Sequence, residues 1–323
     1  NSHFKTVVAI DFNEKAADTF KKNMPDTEVI VGDITDDKTK DRIITESKLK
    51  GVNMIIGGPP CQGFSMKGKK LGLNDPRNFL FMEYLNLVQE IQPEVFVIEN
   101  VKSLLNTAGG WFKDEILNYI HKLGYKVQYG VLNAKKFGVP QARERAIFIC
   151  SKHKDITLPK GTESIVTVRD AISDLAYLQS AEGEFEQEYI TAPETEYQKF
   201  MRKGSKHLYN HKASAHSEKA LEKLAMIPAE KGKECLPEEL WGKQKFNTTW
   251  GRLVWDEVSP TIDTRFDTPS NGTNSHPELN RAITPREAAR IQSFDDNFVF
   301  YGSKFYIRSQ IGNAVPKKLF LIL

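Results

Sequence analysis

The sequence predicts an α/β protein, a parallel, doubly wound sheet followed by a smaller region of different character. Two observations carry this. Short apolar runs alternate with helix-spaced apolar residues as far as Cys150, and nearly every run ends in Gly, Pro or a carboxylate. Beyond about residue 155 the alternation gives way to blocks of charge.

Thr6–Ile10 reads as a strand ending at Asp11. Glu14–Met24 follows as a helix, with Ala16, Ala17, Phe20 and Met24 at helical spacing. Val29–Val31 is a second strand, ending in Gly32-Asp33-Ile34-Thr35. Met54–Ile56 is a third, stopped by Gly57-Gly58-Pro59-Pro60 with Cys61 at the tip. Phe79–Ile91 is an amphipathic helix, and Val95–Ile98 is a fourth strand running into Glu99-Asn100-Val101. Trp111–Leu123 is helical. Val127, Tyr129 and Val131 alternate as in a half-exposed strand, and Arg145–Cys150 closes the series. Near the end, Thr284 is an N-cap, Pro285 suits the first helical position and Glu287 completes a capping box.

The 323 residues, 40% hydrophobic and 27% charged, describe a water-exposed protein with ample core. No apolar run approaches the ~20 residues of a membrane span, and no secretory signal is visible. Three dispersed cysteines form neither a disulfide framework nor a zinc cluster, which favours a reducing, cytoplasmic setting and no metal. The net charge of +3 means that a polyanion must be gripped by a local patch. Glu182 to Glu196 is rich in acid. Tyr197–Lys212 then holds Lys199, Arg202, Lys203, Lys206 and Lys212 interleaved with aromatics and no acidic residue. That stretch is either a solvated basic face or a surface for phosphate contact and base stacking. Trp241, Trp250 and Trp255, among turns, read as core.

The chemistry sits at the strand ends. Cys61 is either a small hydrophobe in a turn or a nucleophile. Asp11 suits ribose hydroxyls if one strand precedes it, Phe12 an adenine face, and Asp33 with Ile34 an adenine edge; both aspartates can equally be helix caps or turn residues. The apolar strand before Glu99 would desolvate its carboxyl and let it act as an acid. A thiolate attacking an electron-poor ring needs such a group at a ring nitrogen. Arg143 and Arg145 offer guanidinium forks for a ring carbonyl or a phosphate, with an ion pair to Glu144 or Glu99 as the plainer alternative.

Taken in order, these pieces resemble the C5-cytosine methyltransferase family, of the bacterial restriction-modification type. The resembling pieces are Asp11-Phe12, Gly32-Asp33-Ile34, Gly58-Pro59-Pro60-Cys61-Gln62, Asp75-Pro76-Arg77 with Leu80-Phe81, Glu99-Asn100-Val101, Gln141 with Arg143 and Arg145, Arg281 through Phe294, and Gly312 through Pro316. The resemblance implies a Rossmann-like, S-adenosylmethionine-dependent methyltransferase domain with a smaller target-recognition domain. It divides the chain into a catalytic domain (1–168), a recognition domain (169–305) and a return segment (306–323), with recognition concentrated in about 177–249. It implies methyl transfer from S-adenosylmethionine to C5 of a cytosine flipped out of duplex DNA, through a covalent Cys61 adduct.

Catalytic roles fall to Cys61, Glu99, Arg143 and Arg145. Arg145 would hold the cytosine O2, and Arg143 a phosphate or the acid motif. Asp11, Phe12, Asp33, Ile34, Pro59, Leu80, Asn313 and Val315 would bind the cofactor. Gln62, Ser65, Lys67, Lys199, Arg202 and Lys203 would contact DNA, with residues 63–77 as a lid. A monomer paired with a cognate restriction endonuclease is expected. The family's Phe-Gly-Gly-type loop does not precede Asp11 in this sequence, which opens at Asn1 beside the second strand of the family order. Further residues are expected at both ends. The alternatives are a C5-cytosine tRNA methyltransferase and a catalytically inactive DNA-binding relative.

Overall fold

The strand and helix series begins with β1 (Val8–Asp11), α1 (Glu14–Asn23), β2 (Glu28–Val31), α2 (Asp37–Leu49) and β3 (Met54–Gly57). It continues through α3 (Phe79–Ile91), β4 (Val95–Val101), α4 (Trp111–Lys122), β5 (Lys126–Asn133) and β6 (Glu144–Ser151). The computed structural model describes residues 4–60, 79–242 and 248–320. It divides into two units, one holding Asn1–Asn133 and Glu144–Lys160, the other Ala134–Arg143 and Gly161–Ile322.

Helix α2 is the element that periodicity misses, because its sequence DKTKDRIITESKL is mostly polar. Capping and packing make it. Asp36 accepts from the Thr39 amide at 2.9 Å, and Ile43 is buried against Ile30 and Leu87.

Among the described strands of the first unit, β6 departs from an all-parallel arrangement. β1 pairs with β2 in parallel, as β3 does with β4, but β6 runs antiparallel to both β4 and β5. The connection between β5 and β6 carries only the short 3-10 turn Ala134–Phe137. A parallel return needs a longer crossover, usually helical, so the chain doubles back instead. Ala146 through Ser151 are all buried. Phe96, Ile98, Phe148 and Cys150 meet Phe81, Leu85 and Val88 of α3 and Ile116 and Ile120 of α4. Each large side chain so buried stabilises the fold by roughly 1.5–3 kcal/mol. Burial also pushes the Cys150 thiol far above its ordinary range, so it is an inert core group.

The second unit contains α5 (Val168–Ile172), β7 (Gly183–Gln187), α6 (Glu196–Arg202), β8 (Leu208–Lys212) and α7 (Glu218–Met226). After these come β9 (Gly251–Arg252), β10 (Thr273–Ser275), α8 (Pro285–Ile291), α9 (Lys304–Asn313) and α10 (Lys317–Phe320). The expected capping box opens α8, with Thr284 and Glu287 bonded reciprocally. Every residue of α8 after its first is buried, three charged ones included. Those charges are paired. Arg281 meets Glu287 at 2.7 Å, and Arg290 meets Asp174 at 2.6 Å and Asp296 at 2.7 Å. Arg286 donates to the carbonyls of Tyr209, Asp295 and Phe298. Burial pushes the Glu287 carboxyl up, but the adjoining Arg281 guanidinium outweighs it and holds it at about 2. Removing one partner from a pair of this kind costs about 3–5 kcal/mol. Trp250 and Trp255 are core residues, as expected, while Trp241 is half-buried and donates to the Leu236 carbonyl.

Candidate active site

β3 ends at Gly57, and the chain leaves it through Gly58-Pro59-Pro60. Both glycines lie close against neighbouring side chains. A Cβ on Gly57 would lie 2.4 Å from the Tyr84 ring, and one on Gly58 would lie 2.8 Å from Glu99 Oε2. Tyr84 is itself fixed, donating from its hydroxyl to the Val97 carbonyl at 2.9 Å. The Glu99 carboxylate therefore rests directly against the exit of β3.

Strand register places its partner. Arg145 lies opposite Val101, and Ile147 opposite Glu99, so Arg145 and Glu99 are diagonal neighbours on one face. Arg145 Nε meets Glu99 Oε1 at 2.8 Å, with side chains 15% and 13% exposed, a pair mostly shielded from water. The acid expected from an apolar strand thus carries a guanidinium beside it. A second guanidinium N–H of Arg145 donates to the Glu144 carbonyl at 2.8 Å, while the Glu144 carboxylate pairs with Lys102. The next residue, Asn100, was given no role by the sequence. Its amide donates to the Pro59 carbonyl at 3.0 Å, and its oxygen accepts from the Val101 amide at 2.9 Å. An Asn directly after the acid at a strand end was the signal available.

Arg143 is placed differently from the expectation of a phosphate or the acid motif. It is buried in the second unit, where it donates to the carbonyls of Ile262 and Gly312, both at 3.0 Å. Gln141 completes a lattice with it. Gln141 donates to Gln292 at 2.9 Å and accepts from the Ile262 amide at 2.9 Å, and Gln292 donates to the Ile311 carbonyl at 2.8 Å. A Cβ on Gly312 would come within 2.5 Å of the Asp263 and Thr264 backbone, so only glycine allows this approach. Arg143 is a clamp on main chain here. Asn313 is exposed and donates to Ser309 at 3.2 Å, and Val315 is half-buried.

The ends of β1 and β2 carry the candidate cofactor groups. Asp11 accepts from the Asn13 amide at 2.8 Å, and Asn13, not Asp11, caps α1. Burial raises the Asp11 carboxyl above its ordinary range, while the Asn13 amide pulls the other way. Phe12, 80% exposed, presents an aromatic face beside it. Asp33 is exposed and accepts from the Thr35 amide at 2.9 Å, while Asp36 caps α2. Ile34 packs against the Ile30 cluster, and Leu80 is half-buried in the first turn of α3. Two carboxylates at successive strand ends, with acceptor capacity beyond one amide bond each and an exposed ring between them, fit a nucleoside: a diol, a base edge and a base face.

Cys61, Gln62, Ser65 and Lys67 lie outside the described residues. In the basic stretch, Lys199 is exposed and pairs with Glu196 at 2.6 Å, and Lys203 is exposed. Arg202 is engaged internally, bonded to Asp174, donating to the Thr191 carbonyl at 2.7 Å and stacked over Tyr189 at 4.2 Å. Its expected phosphate contact competes with a nearly buried ion pair, so Lys199 and Lys203 are the better-placed cations of the three. Among the described residues no helix is long and apolar enough to cross a membrane.

The parallel β1–β2 and β3–β4 pairs, with acidic and aromatic groups at their strand ends and helices between them, have the α/β organisation found in S-adenosylmethionine-dependent methyltransferases. The C-5 cytosine-specific DNA methylase family model matches residues 1–322, and the chain belongs to that family, with the activity of a DNA (cytosine-5-)-methyltransferase. It is 35% identical over 326 residues to the type II methyltransferase M1.HphI of Haemophilus parahaemolyticus, covering 98% of this chain and 78% of that protein. It is 36% identical over 345 residues to M.DdeI of Desulfomicrobium norvegicum, covering 98% and 81%. Among solved structures, a prophage-encoded DNA modification methyltransferase from E. coli superposes with a TM-score of 0.77 at 25% identity, covering 99% of this chain and 91% of that one. The Dnmt2 methyltransferase of S. pombe shares the fold, with a TM-score of 0.60 at 16% identity, covering 98% and 88%.

Proposed function

We propose that this enzyme flips a cytosine out of a short duplex DNA site and methylates it through a covalent Cys61 adduct. The observation that carries the reading is the Glu99–Arg145 pair, held at 2.8 Å against Gly58 where the chain leaves β3 toward Cys61. A free thiol is only a few per cent thiolate at neutral pH but is strongly nucleophilic. Cys61 adds to C6, forming a C–S bond and moving an electron pair toward C5. Glu99 hydrogen-bonds N3 and the exocyclic amine, and Arg145 both holds that carboxyl and faces O2, so the developing charge meets groups already in place. Once C5 carries its methyl group, loss of the C5 proton returns an electron pair to the ring and expels the thiolate.

S-adenosylmethionine, when bound, supplies an electrophilic methyl group. Asp11 would take its ribose hydroxyls, Phe12 its adenine face and Asp33 its adenine edge. Gln62, Ser65 and Lys67 would meet the DNA backbone, and the region 169–305 would read the sequence. The type II names of the relatives support a place in a restriction-modification system; the reading adds a cognate endonuclease, a cytoplasmic setting and a monomeric methyltransferase.

Trapping tests the mechanism. Duplex DNA carrying 5-fluorocytosine blocks the final proton loss, so enzyme with cofactor should form a stable covalent adduct, and Cys61→Ser should form none. No adduct with the parent enzyme, or an undiminished one in the variant, sinks the covalent reading.

A further inference from the structure

We propose that Asn13 is a positioning residue for the methyl donor: by capping α1 with its side chain, it holds its own amide against Asp11 and so orients the carboxylate that takes the ribose hydroxyls. This rests on the cofactor reading of Asp11 above. The main chain of Asp11 is set from the sheet. Asp11 stands opposite Val31 in the parallel β1–β2 pair, and its carbonyl accepts from the Gly32 amide at 3.2 Å. What remains is the rotation of the carboxylate, on which contact with a diol depends. The Asn13 amide restrains it, donating to Asp11 Oδ1 at 2.8 Å. One amide takes one of a carboxylate's roughly four lone-pair sites, so the capacity to accept from a diol persists.

The direction of that amide is set in turn by the helix. Phe12, between the two residues, is 80% exposed and supplies little packing. Asn13 is tied to α1 through its side chain and its carbonyl. Its Oδ1 accepts from the Lys15 and Ala16 amides at 2.9 and 3.2 Å, and its carbonyl accepts from the Ala17 amide at 3.0 Å. The neighbouring strand end divides these duties between residues. There the Thr35 amide holds Asp33 at 2.9 Å, while the cap of α2 is Asp36. At the end of β1 both duties fall on Asn13, so a side chain that bonds helix amides reaches the ribose contact through its own backbone.

The test measures S-adenosylmethionine affinity, single-turnover methylation at saturating cofactor, and thermal melting. A cap side chain shifts a local equilibrium by about 2- to 30-fold, and affinity falls with the population of the competent arrangement. Asn13→Ala should therefore weaken cofactor binding roughly 3- to 10-fold, with the rate at saturation held within about twofold. Asn13→Ser keeps an acceptor at the cap and should bind within about twofold of the parent. Asn13→Gln keeps the amide but is too long to cap; it should repeat the alanine result and replaces that variant should it not fold. Tyr125→Phe is the control for general loosening, since it loses a buried bond in the same unit, from the Tyr125 hydroxyl to the Pro93 carbonyl at 2.6 Å. It should lower the melting temperature and leave cofactor affinity unchanged. In an Asp11→Ala background, Asn13→Ala should weaken binding by less than about twofold more, because the group it acts through is gone. Parent-like affinity in the alanine and glutamine variants overturns the proposal. So does a serine variant as weak as alanine, a fully additive loss in the Asp11→Ala background, or an equal loss in Tyr125→Phe. If Asp11→Ala itself binds the cofactor as the parent does, the ribose reading has failed and the proposal with it, a result distinct from an Asp11→Ala loss that Asn13→Ala does not share.

Discussion

Gly58→Ala separates folding from catalysis at one atom. The added Cβ would lie 2.8 Å from Glu99 Oε2, against an ordinary contact of at least 3.4 Å, so the carboxylate must move by about 0.6 Å. The obstacle is the end of a side chain and not backbone, which makes the move cheap for stability, within about 1 kcal/mol. The same move is expensive for chemistry. It stretches the 2.8 Å bond to Arg145 toward the limit of hydrogen bonding and draws the acid off the ring nitrogen it must meet. With about 100-fold lost per ångström of misplacement, kcat should fall roughly 10- to 30-fold, about 1.4–2 kcal/mol of barrier. The assay is single-turnover methylation of duplex DNA, with DNA affinity and melting temperature measured beside it. Glu99→Gln is the reference, retaining DNA binding and losing most turnover. If Gly58→Ala folds normally and turns over at the parent rate, the carboxylate position inferred from the β3 exit is wrong.

Three further outcomes follow from the geometry. Asp11→Asn should raise the KM for S-adenosylmethionine about tenfold with a smaller change in kcat, and an unchanged KM would remove Asp11 from the ribose contact. Glu287 titrates at about 2 in the fold against 4.5 for a free side chain, so it contributes roughly 3 kcal/mol that is fully present above pH 4.5 and lost as pH falls toward 2. Glu287→Gln should therefore destabilise the protein at neutral pH and flatten the acid limb of its melting profile, and an unaltered acid limb would contradict the assignment. Reversing charge at Lys199 and Lys203 should weaken DNA binding and reduce the slope of log K against log salt by about 0.9 for each phosphate no longer neutralised. An unchanged slope would return that stretch to an ordinary solvated face.

Local chemistry makes much of this molecule readable in advance. Gly57-Gly58-Pro59-Pro60 and Asp11 stop their strands whatever surrounds them, and α3 keeps the predicted bounds because its apolar spacing matches the helical period. The Thr284–Glu287 box is likewise a matter of four adjacent residues. Helix α2 is invisible to periodicity because its cap and its contacts with Ile30 and Leu87 outweigh a sequence with little apolar character.

What stays hidden depends on groups far apart in the chain. The direction of β6 follows from a connection without a crossover helix. The role of Arg143 depends on carbonyls contributed by Ile262 and Gly312, and the engagement of Arg202 on Asp174. No spacing rule reports these, because hydrogen bonds and ion pairs form wherever packing brings a donor to an acceptor. The sequence by itself determined the elements, the strand-end residues and, through their order, the family. Only the tertiary structure decided that Glu99 pairs with Arg145, that Arg143 clamps main chain, and that Asn100 ties the acid strand to the segment leading into Cys61. Element formation is a local property, whereas the geometry of reacting groups is fixed by register and burial across the whole sheet.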